Sequence, residues 1–435
     1  MSAAAQLAKK YLFAIATVYM CYLTHGVQAI ILSQNQVNFY TQWGYTDATA
    51  GAAAVSMAIT LTGVGKFVSV WIGGEISDRV GRKPLAVGGS ILYIICFVML
   101  LVSNSMVVAC VAGFLSGVAT SGFWDAALYP AVAEANPKYA GSTTIGIKAV
   151  ISLSGIVYPL FAAINSGDSW HINIWIPIVL SVICCIFAAL TPFVYDDERK
   201  ARKEAGIEEA KKDDSADVKA AKEAMIEGPN GMTQFVTLFF GFVIMFIMYG
   251  AQQYSKSFGI NNLGLSDVAA AGMTSIYTAG SIIAVLFWAF MMAKLRWTPI
   301  KVILIDACLA AAALALVIIA LPLNLGAGVV YVAIAVLGFS AAGGMLQTGV
   351  TLRQQMCPGP RGRNVGMYYT FMGFASVFLP FIVSAMTTAT GEANAVWIMM
   401  ILLLVAACLA IVMSAYIVMR YKKQFGRSAM APQED

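Results

Sequence analysis

Charge is scarce in this chain of 435 residues: Asp, Glu, Lys and Arg make up 11% of it, against 60% for the apolar types. That leaves too little polar surface to cover a soluble globule of this size, so lipid is the expected solvent. Histidine is rarer still, with two residues in all. No Ser, His and Asp arrangement, phosphate-binding loop or metal-ligand spacing occurs. An enzyme is therefore not expected, and neither is a catalytic residue, a metal or a cofactor. The eight cysteines fall almost entirely inside apolar runs without ligand spacing and read as small packing residues. A cleavable leader is not expected either, because the first apolar run is too long for one and lacks a cleavage site. The net charge of +5 is spread over many short loops, which argues against a nucleic-acid partner.

What the chain has in abundance is long apolar runs. A membrane-spanning helix needs about 20 mostly apolar residues. Such runs lie near 11–33, 48–73, 84–103, 106–133, 142–165 and 172–194, and again near 232–254, 267–292, 299–320, 327–352, 363–388 and 394–419. The pattern predicts an all-α membrane protein with twelve transmembrane helices in two six-helix halves. The predicted organisation is an N-terminal half over 1–194, a charged linker over 195–231, a C-terminal half over 232–420 and a tail over 421–435. The linker's Ala, Glu and Lys content permits amphipathic helix. With the N-terminus placed in the cytoplasm, every Lys and Arg except Lys66, Lys148 and Lys256 falls on the cytoplasmic side. That asymmetry predicts cytoplasmic N- and C-termini.

An internal repeat supports the division. Gly117, Gly122, Pro137, Gly141 and Pro159 recur, at one constant offset, as Gly338, Gly343, Pro358, Gly362 and Pro380. Helix-punctuating residues repeated in order point to a parallel repeat, with two halves around a central cavity near the bilayer midplane.

Between the second and third runs stands Gly74-Glu75-Ile76-Ser77-Asp78-Arg79-Val80-Gly81-Arg82-Lys83-Pro84. This string resembles the cytoplasmic loop signature of the major facilitator superfamily. Its glycines suit a tight turn, and Pro84 suits a helix start. The resemblance implies a cytoplasmic latch built from Gly74, Asp78, Arg79, Gly81, Arg82 and Lys83, with Asp78 set against a helix N-terminus and Glu134 as a further member. A second element, Glu134-Ala135-Asn136-Pro137, resembles another superfamily motif but has Gly141 without the usual arginine before it. Between the eighth and ninth runs the signature has decayed to Lys294-Leu295-Arg296-Trp297-Thr298-Pro299, with no aspartate. Within the superfamily the chain resembles the inner-membrane transport proteins of the YdiM and YdiN type. The likeness rests on His25-Gly26, Gly63 to Lys66, Asp125, Tyr129-Pro130, Ile147-Lys148-Ala149, Ser275 to Ser281 and Ala341 to Gln347.

An ionisable group inside a membrane helix faces the bundle interior and finds a partner, because lipid exposure costs several kcal/mol. Lys66, Asp125 and Lys148 lie at similar depths, roughly 10–12 Å inside the cytoplasmic boundary at 1.5 Å per residue. Two cations against one carboxylate leave a positive excess, which suits an anionic substrate. The alternative is a structural Asp125–Lys148 pair with Lys66 extending to the headgroups. His25, near the middle of the first run, can change charge near neutral pH. With Asp125 it is a candidate proton carrier. Gln28, Tyr129, Gln252 and Gln347 complete the candidate substrate and coupling set as uncharged hydrogen-bonding groups.

The sequence thus predicts a secondary transporter in a bacterial inner membrane, a multi-pass protein coupling protons to a small metabolite. A hydroxylated or aromatic carboxylate fits the cation excess, and a monomer is what the resemblance implies. Gly146, Gly155 and Pro159 partly match the antiporter signature of drug-exporting relatives. A proton-coupled efflux antiporter for lipophilic or cationic compounds is therefore the alternative.

Overall fold

The computed structural model describes residues 11–136, 140–205, 215–359 and 361–432, with the backbone alone at Trp71, Gln347 and a few residues beside those breaks. Every regular element among them is helical. Hydrocarbon offers the backbone no hydrogen-bond partner, and a helix satisfies its own ladder. The chain divides into two compact units, Met1–Lys211 and Lys212–Asp435.

The first unit contains α1 (Leu12–Gln28), α2 (Ile31–Gln34), α3 (Gln36–Gln42), α4 (Ala48–Val80) and α5 (Arg82–Leu101). Next, α6 (Met106–Gly117) runs through a π-helical segment, Val118–Asp125, into α7 (Ala126–Ala135). Then come α8 (Ala140–Ile164), α9 (Ile172–Leu190) and α10 (Val194–Glu204). The second unit contains α11 (Ser215–Glu223), α12 (Gly231–Leu263), α13 (Asp267–Leu295) and α14 (Pro299–Ala320). Its α15 (Ala327–Leu337) also passes through a π-helical segment, Gly338–Met345, into α16 (Leu346–Met356). The unit ends with α17 (Arg361–Thr390) and α18 (Glu392–Phe425).

Eleven helices among the described residues are long and apolar enough to cross a membrane. The expected first span is the exception, since α1 ends at Gln28 after 17 residues. The ladder tightens there, with the Ile30 N–H bonding the Val27 carbonyl at 3.2 Å. The Asn35 amide donates to the Ile31 carbonyl and to the Tyr158 hydroxyl, both at 2.9 Å, so a side chain competes for the helix ladder where the chain breaks between α2 and α3. Along α9, by contrast, Ile172, Trp175, Val179, Val182, Ile186 and Leu190 are all exposed at helical spacing. An outward apolar stripe is the surface that acyl chains cover.

Both units use one device to bring helices together. A Cβ on Gly117 would run into the Thr62 carbonyl of α4, and a Cβ on Gly338 would run into the Tyr277 carbonyl of α13. Only glycine lets these backbones approach so closely. Each contact lies at the threshold of a π-helical segment, so the repeated glycines mark one packing joint present in both units. Of the repeat's other members, Pro137 lies outside the described residues.

The charged stretch after α9 is divided between the units. Its first part is α10, which belongs to the first unit. Further on, Arg420 pairs with Glu227 at 2.9 Å and Ile226 N–H donates to the Gln424 carbonyl at 2.8 Å, both within the second unit.

Candidate functional site

The π-helical segment of the first unit positions the central carboxylate. Asp125 is its last residue, and such widened turns recur where a helix serves a function. The Asp125 carboxylate accepts hydrogen bonds from the Tyr22 hydroxyl on α1 at 3.0 Å and from Ser121 Oγ at 3.2 Å. The Tyr22 ring in turn meets His25 edge-on at 5.9 Å and Tyr129 at 5.1 Å between centroids. Lys66 on α4 and Lys148 on α8 both interact electrostatically with Asp125 and with each other. His25 lies in the field of both lysines. Asp125, Lys66, Lys148, His25 and Tyr129 are all half-buried. Among the described residues no ion pair within 4.0 Å joins Asp125 to either lysine. Neutral hydroxyls therefore hold the carboxylate, and the two cations act on it at longer range.

Behind His25 lies a network that sequence reading missed. His25 Nδ1 is 3.0 Å from the Tyr93 hydroxyl of α5, which is 2.6 Å from Thr120 Oγ1. Gln28 donates from Nε2 to Ser116 Oγ at 2.9 Å. Hydroxyls scattered through apolar runs carry no spacing signal, so Tyr93, Ser116, Thr120 and Ser121 could have been flagged only by listing every polar residue within a predicted span. In the second unit Gln252 sits half-buried on α12, while the side chain of Gln347 lies outside the described residues. Lys256, one of the three lysines that the sequence set apart from the cytoplasmic loops, is buried on α12 and pairs with Asp267 of α13 at 2.9 Å.

A second constellation forms around the signature string, and here the structure corrects the sequence reading. Gly74 to Val80 complete α4 and do not form a loop; the turn is made at Gly81 alone, at φ +114°. No L side chain suits that conformation, and a Cβ there would also strike the Asp196 carboxylate. The carboxylate set against the N-terminus of α5 is that of Asp196. It accepts from the N–H groups of Arg82 and Lys83 at 3.0 and 2.8 Å, where the first-turn donors of a helix are unmet. Asp78 instead bonds the Arg82 guanidinium at 2.8 Å. Arg82 is the hub. It is buried, pairs also with Glu134 at 3.0 Å, donates to Ser77 Oγ at 2.6 Å and lies 4.3 Å from the centre of the Tyr195 ring. Arg79, by contrast, is exposed and pairs with Glu75 at 3.5 Å.

One further acid was overlooked although it stands inside a predicted span. Asp306 of α14 is fully buried, with the Trp288 indole N–H as its hydrogen-bonding neighbour. Trp288 of α13 and Gly344 of the second π-helical segment pack against it; a Cβ on Gly344 would overlap the carboxyl group.

The arrangement therefore combines a glycine-joined helical scaffold, ionisable groups inside spans and an arginine hub beside the signature string. The sequence matches the Major Facilitator Superfamily over residues 12–378. The chain belongs to the major facilitator superfamily. Among superfamily members it is similar to the inner membrane transport protein YdiM of Escherichia coli (strain K12). The two are 27% identical over 383 residues, which cover 87% of this chain and 88% of that protein. It is also similar to the multidrug transporter MdfA of Edwardsiella piscicida, 31% identical over 121 residues, or 28% of each chain. Its fold matches the crystal structure of a D-xylose-proton symporter with a TM-score of 0.71 at 12% identity, covering 94% of this chain and 97% of that one. As a superfamily member with eleven helices among its described residues fit to cross a bilayer, the chain is a multi-pass membrane transporter.

Proposed function

We propose that this transporter is a proton-coupled carrier of a small organic anion, a hydroxylated or aromatic carboxylate, in the inner membrane of a bacterial cell. The observation that carries the reading is the charge imbalance around Asp125, where one carboxylate held by Tyr22 and Ser121 lies in the field of two half-buried lysines, Lys66 and Lys148. A resident positive excess within a span is costly unless something compensates for it, and an anionic substrate supplies that compensation. Asp125 and His25 are the proton-exchanging groups on this reading, and Gln28, Tyr129, Gln252 and Gln347 contribute uncharged contacts. The chain would cross the membrane twelve times, α1 included, as a monomer with both termini in the cytoplasm. Transport would proceed by alternating access about a central cavity. The string around Arg82 would serve as a cytoplasmic latch.

A second reading, efflux of lipophilic or cationic compounds by proton antiport, draws on the likeness to a multidrug transporter over 28% of the chain. On that reading Asp125 would bind the cation. One experiment separates the two: internal pH of proteoliposomes containing the purified chain, with carboxylates, sugars and cationic drugs added outside in turn. Acidification with a carboxylate, lost in Asp125→Asn, supports anion symport. Alkalinisation with cationic drugs alone overturns it in favour of antiport.

A further inference from the structure

The hydroxyl network behind His25 has a direction that hydrogen counting fixes. Thr120 Oγ1 donates to the Ser116 carbonyl at 2.9 Å, and a hydroxyl has a single hydrogen to give. The 2.6 Å contact between Thr120 Oγ1 and the Tyr93 hydroxyl must then be donated by Tyr93. With its own hydrogen spent, the Tyr93 oxygen can only accept, so the 3.0 Å contact with His25 Nδ1 is donated by the ring. The reverse order, Thr120 to Tyr93 to His25, would forfeit the bond to the Ser116 carbonyl.

We infer that Tyr93 and Thr120 are positioning residues that hold neutral His25 as its Nδ1–H tautomer, leaving Nε2 as the acceptor the ring presents to the site. The pieces around it fit this role. Tyr93 is completely buried, with its ring 4.4 Å from that of Trp124, so its hydroxyl is held in place. The His25 ring remains half-buried. The groups that face it are the Tyr22 ring edge, the Gln28 amide, which is a hydrogen-bond partner of the ring from the next turn of α1, and, through their charge, Lys66 and Lys148, with Asp125 reached through Tyr22. A partner that binds at Nε2 must bring a hydrogen: a substrate hydroxyl, a protonated carboxyl or a proton in transit. Protonation at Nε2 leaves the Nδ1–H bond to Tyr93 intact, so the same relay orients both charge states of the ring. The bearing on transport rests on the proposed place of His25 in the coupling site; the tautomer does not.

The chain has two histidines, so His171→Asn leaves His25 as the only imidazole in the spectrum. Nitrogen NMR of the full chain, labelled at histidine and reconstituted in bilayers, should show a pyrrole-type Nδ1 and a pyridine-type Nε2. Thr120→Val frees the Tyr93 hydrogen to turn to Nδ1 and should exchange the two signals, whereas Thr120→Ser should keep them. An Nε2–H ring in the parent protein, or no exchange in Thr120→Val, overturns the assignment. The parent spectrum decides alone if the valine variant does not fold. Exchanged signals with unaltered proteoliposome transport would leave the tautomer standing and remove His25 from the coupling site.

Discussion

Asp196 caps the helix that begins at Arg82, accepting the backbone N–H of Arg82 at 3.0 Å from the far end of the first unit's sequence. The segment after α9 is thereby tied to the turn after α4. Tyr195 adds a 2.6 Å bond to the Asp78 carbonyl, and Asp197 accepts from Tyr11 at 2.7 Å. Asp196→Ala should cost about 1 kcal/mol, the usual worth of a lost helix cap. Asp196→Asn, which keeps an acceptor, should cost less. Thermal unfolding in detergent measures both, and equal losses would show that charge and not capping is what matters at Asp196.

Arg82 answers to Asp78, Ser77, Glu134 and Tyr195 at once. Arg82→Lys keeps the charge but loses the planar fork and the ring contact, so it should behave as a disruptive change. Arg82→Met should cost about 2 kcal/mol or more, because Glu134 is left without its cation. Glu134→Gln added to Arg82→Met should recover part of that loss. A double-mutant cycle with no coupling would show that the two residues contribute independently.

Gly117→Ala and Gly338→Ala should each cost about 1–3 kcal/mol, because the added methyl meets a backbone carbonyl that has no rotamer to yield. Gly74→Ala is the control, since nothing lies within 4 Å of a Cβ there. Comparable losses at all three positions would mean that helix packing is not the cause.

If the lysines bind the substrate's carboxylate, Lys66→Ala and Lys148→Ala should each raise the KM for the transported anion about tenfold, the equivalent of about 1.4 kcal/mol. Unfolding midpoints of the variants should stay near the parent's. Uptake at graded substrate concentrations checks this. An unchanged KM in both would remove the lysines from the site.

Asp306→Asn should cost about 1 kcal/mol, because the amide keeps an acceptor for the Trp288 N–H but brings N–H donors of its own into a fully buried place. Chemical unfolding in detergent gives the sign. A gain in stability would show that the ionisable group itself is what costs the fold at this position.

How much of this could be read in advance depends on the kind of signal. The α14 boundaries, Pro299 to Ala320, follow directly from an apolar run that starts at a proline. The signature string was legible as a string, but its geometry was not. Its turn narrows to Gly81, and its capping acid comes from Asp196, which no local rule links to Arg82. Asp125, Lys66 and Lys148 announced themselves because charge inside a span is rare. Tyr93 and Thr120 did not, because a hydroxyl acquires meaning only from the residue it meets in space. α1 was expected to run on to 33 but ends at Gln28, because hydropathy carries no mark of the tightened turn at Ile30.

The joints at Gly117 and Gly338 carry a consequence for ancestry. At the offset that pairs these glycines, Asp125 falls on Leu346. If the units descend from one duplicated ancestor, they have kept a likeness where backbone presses on backbone and diverged where a carboxylate stands. Each half could then drift chemically on its own, while the joint that holds its helices together was barred from doing so.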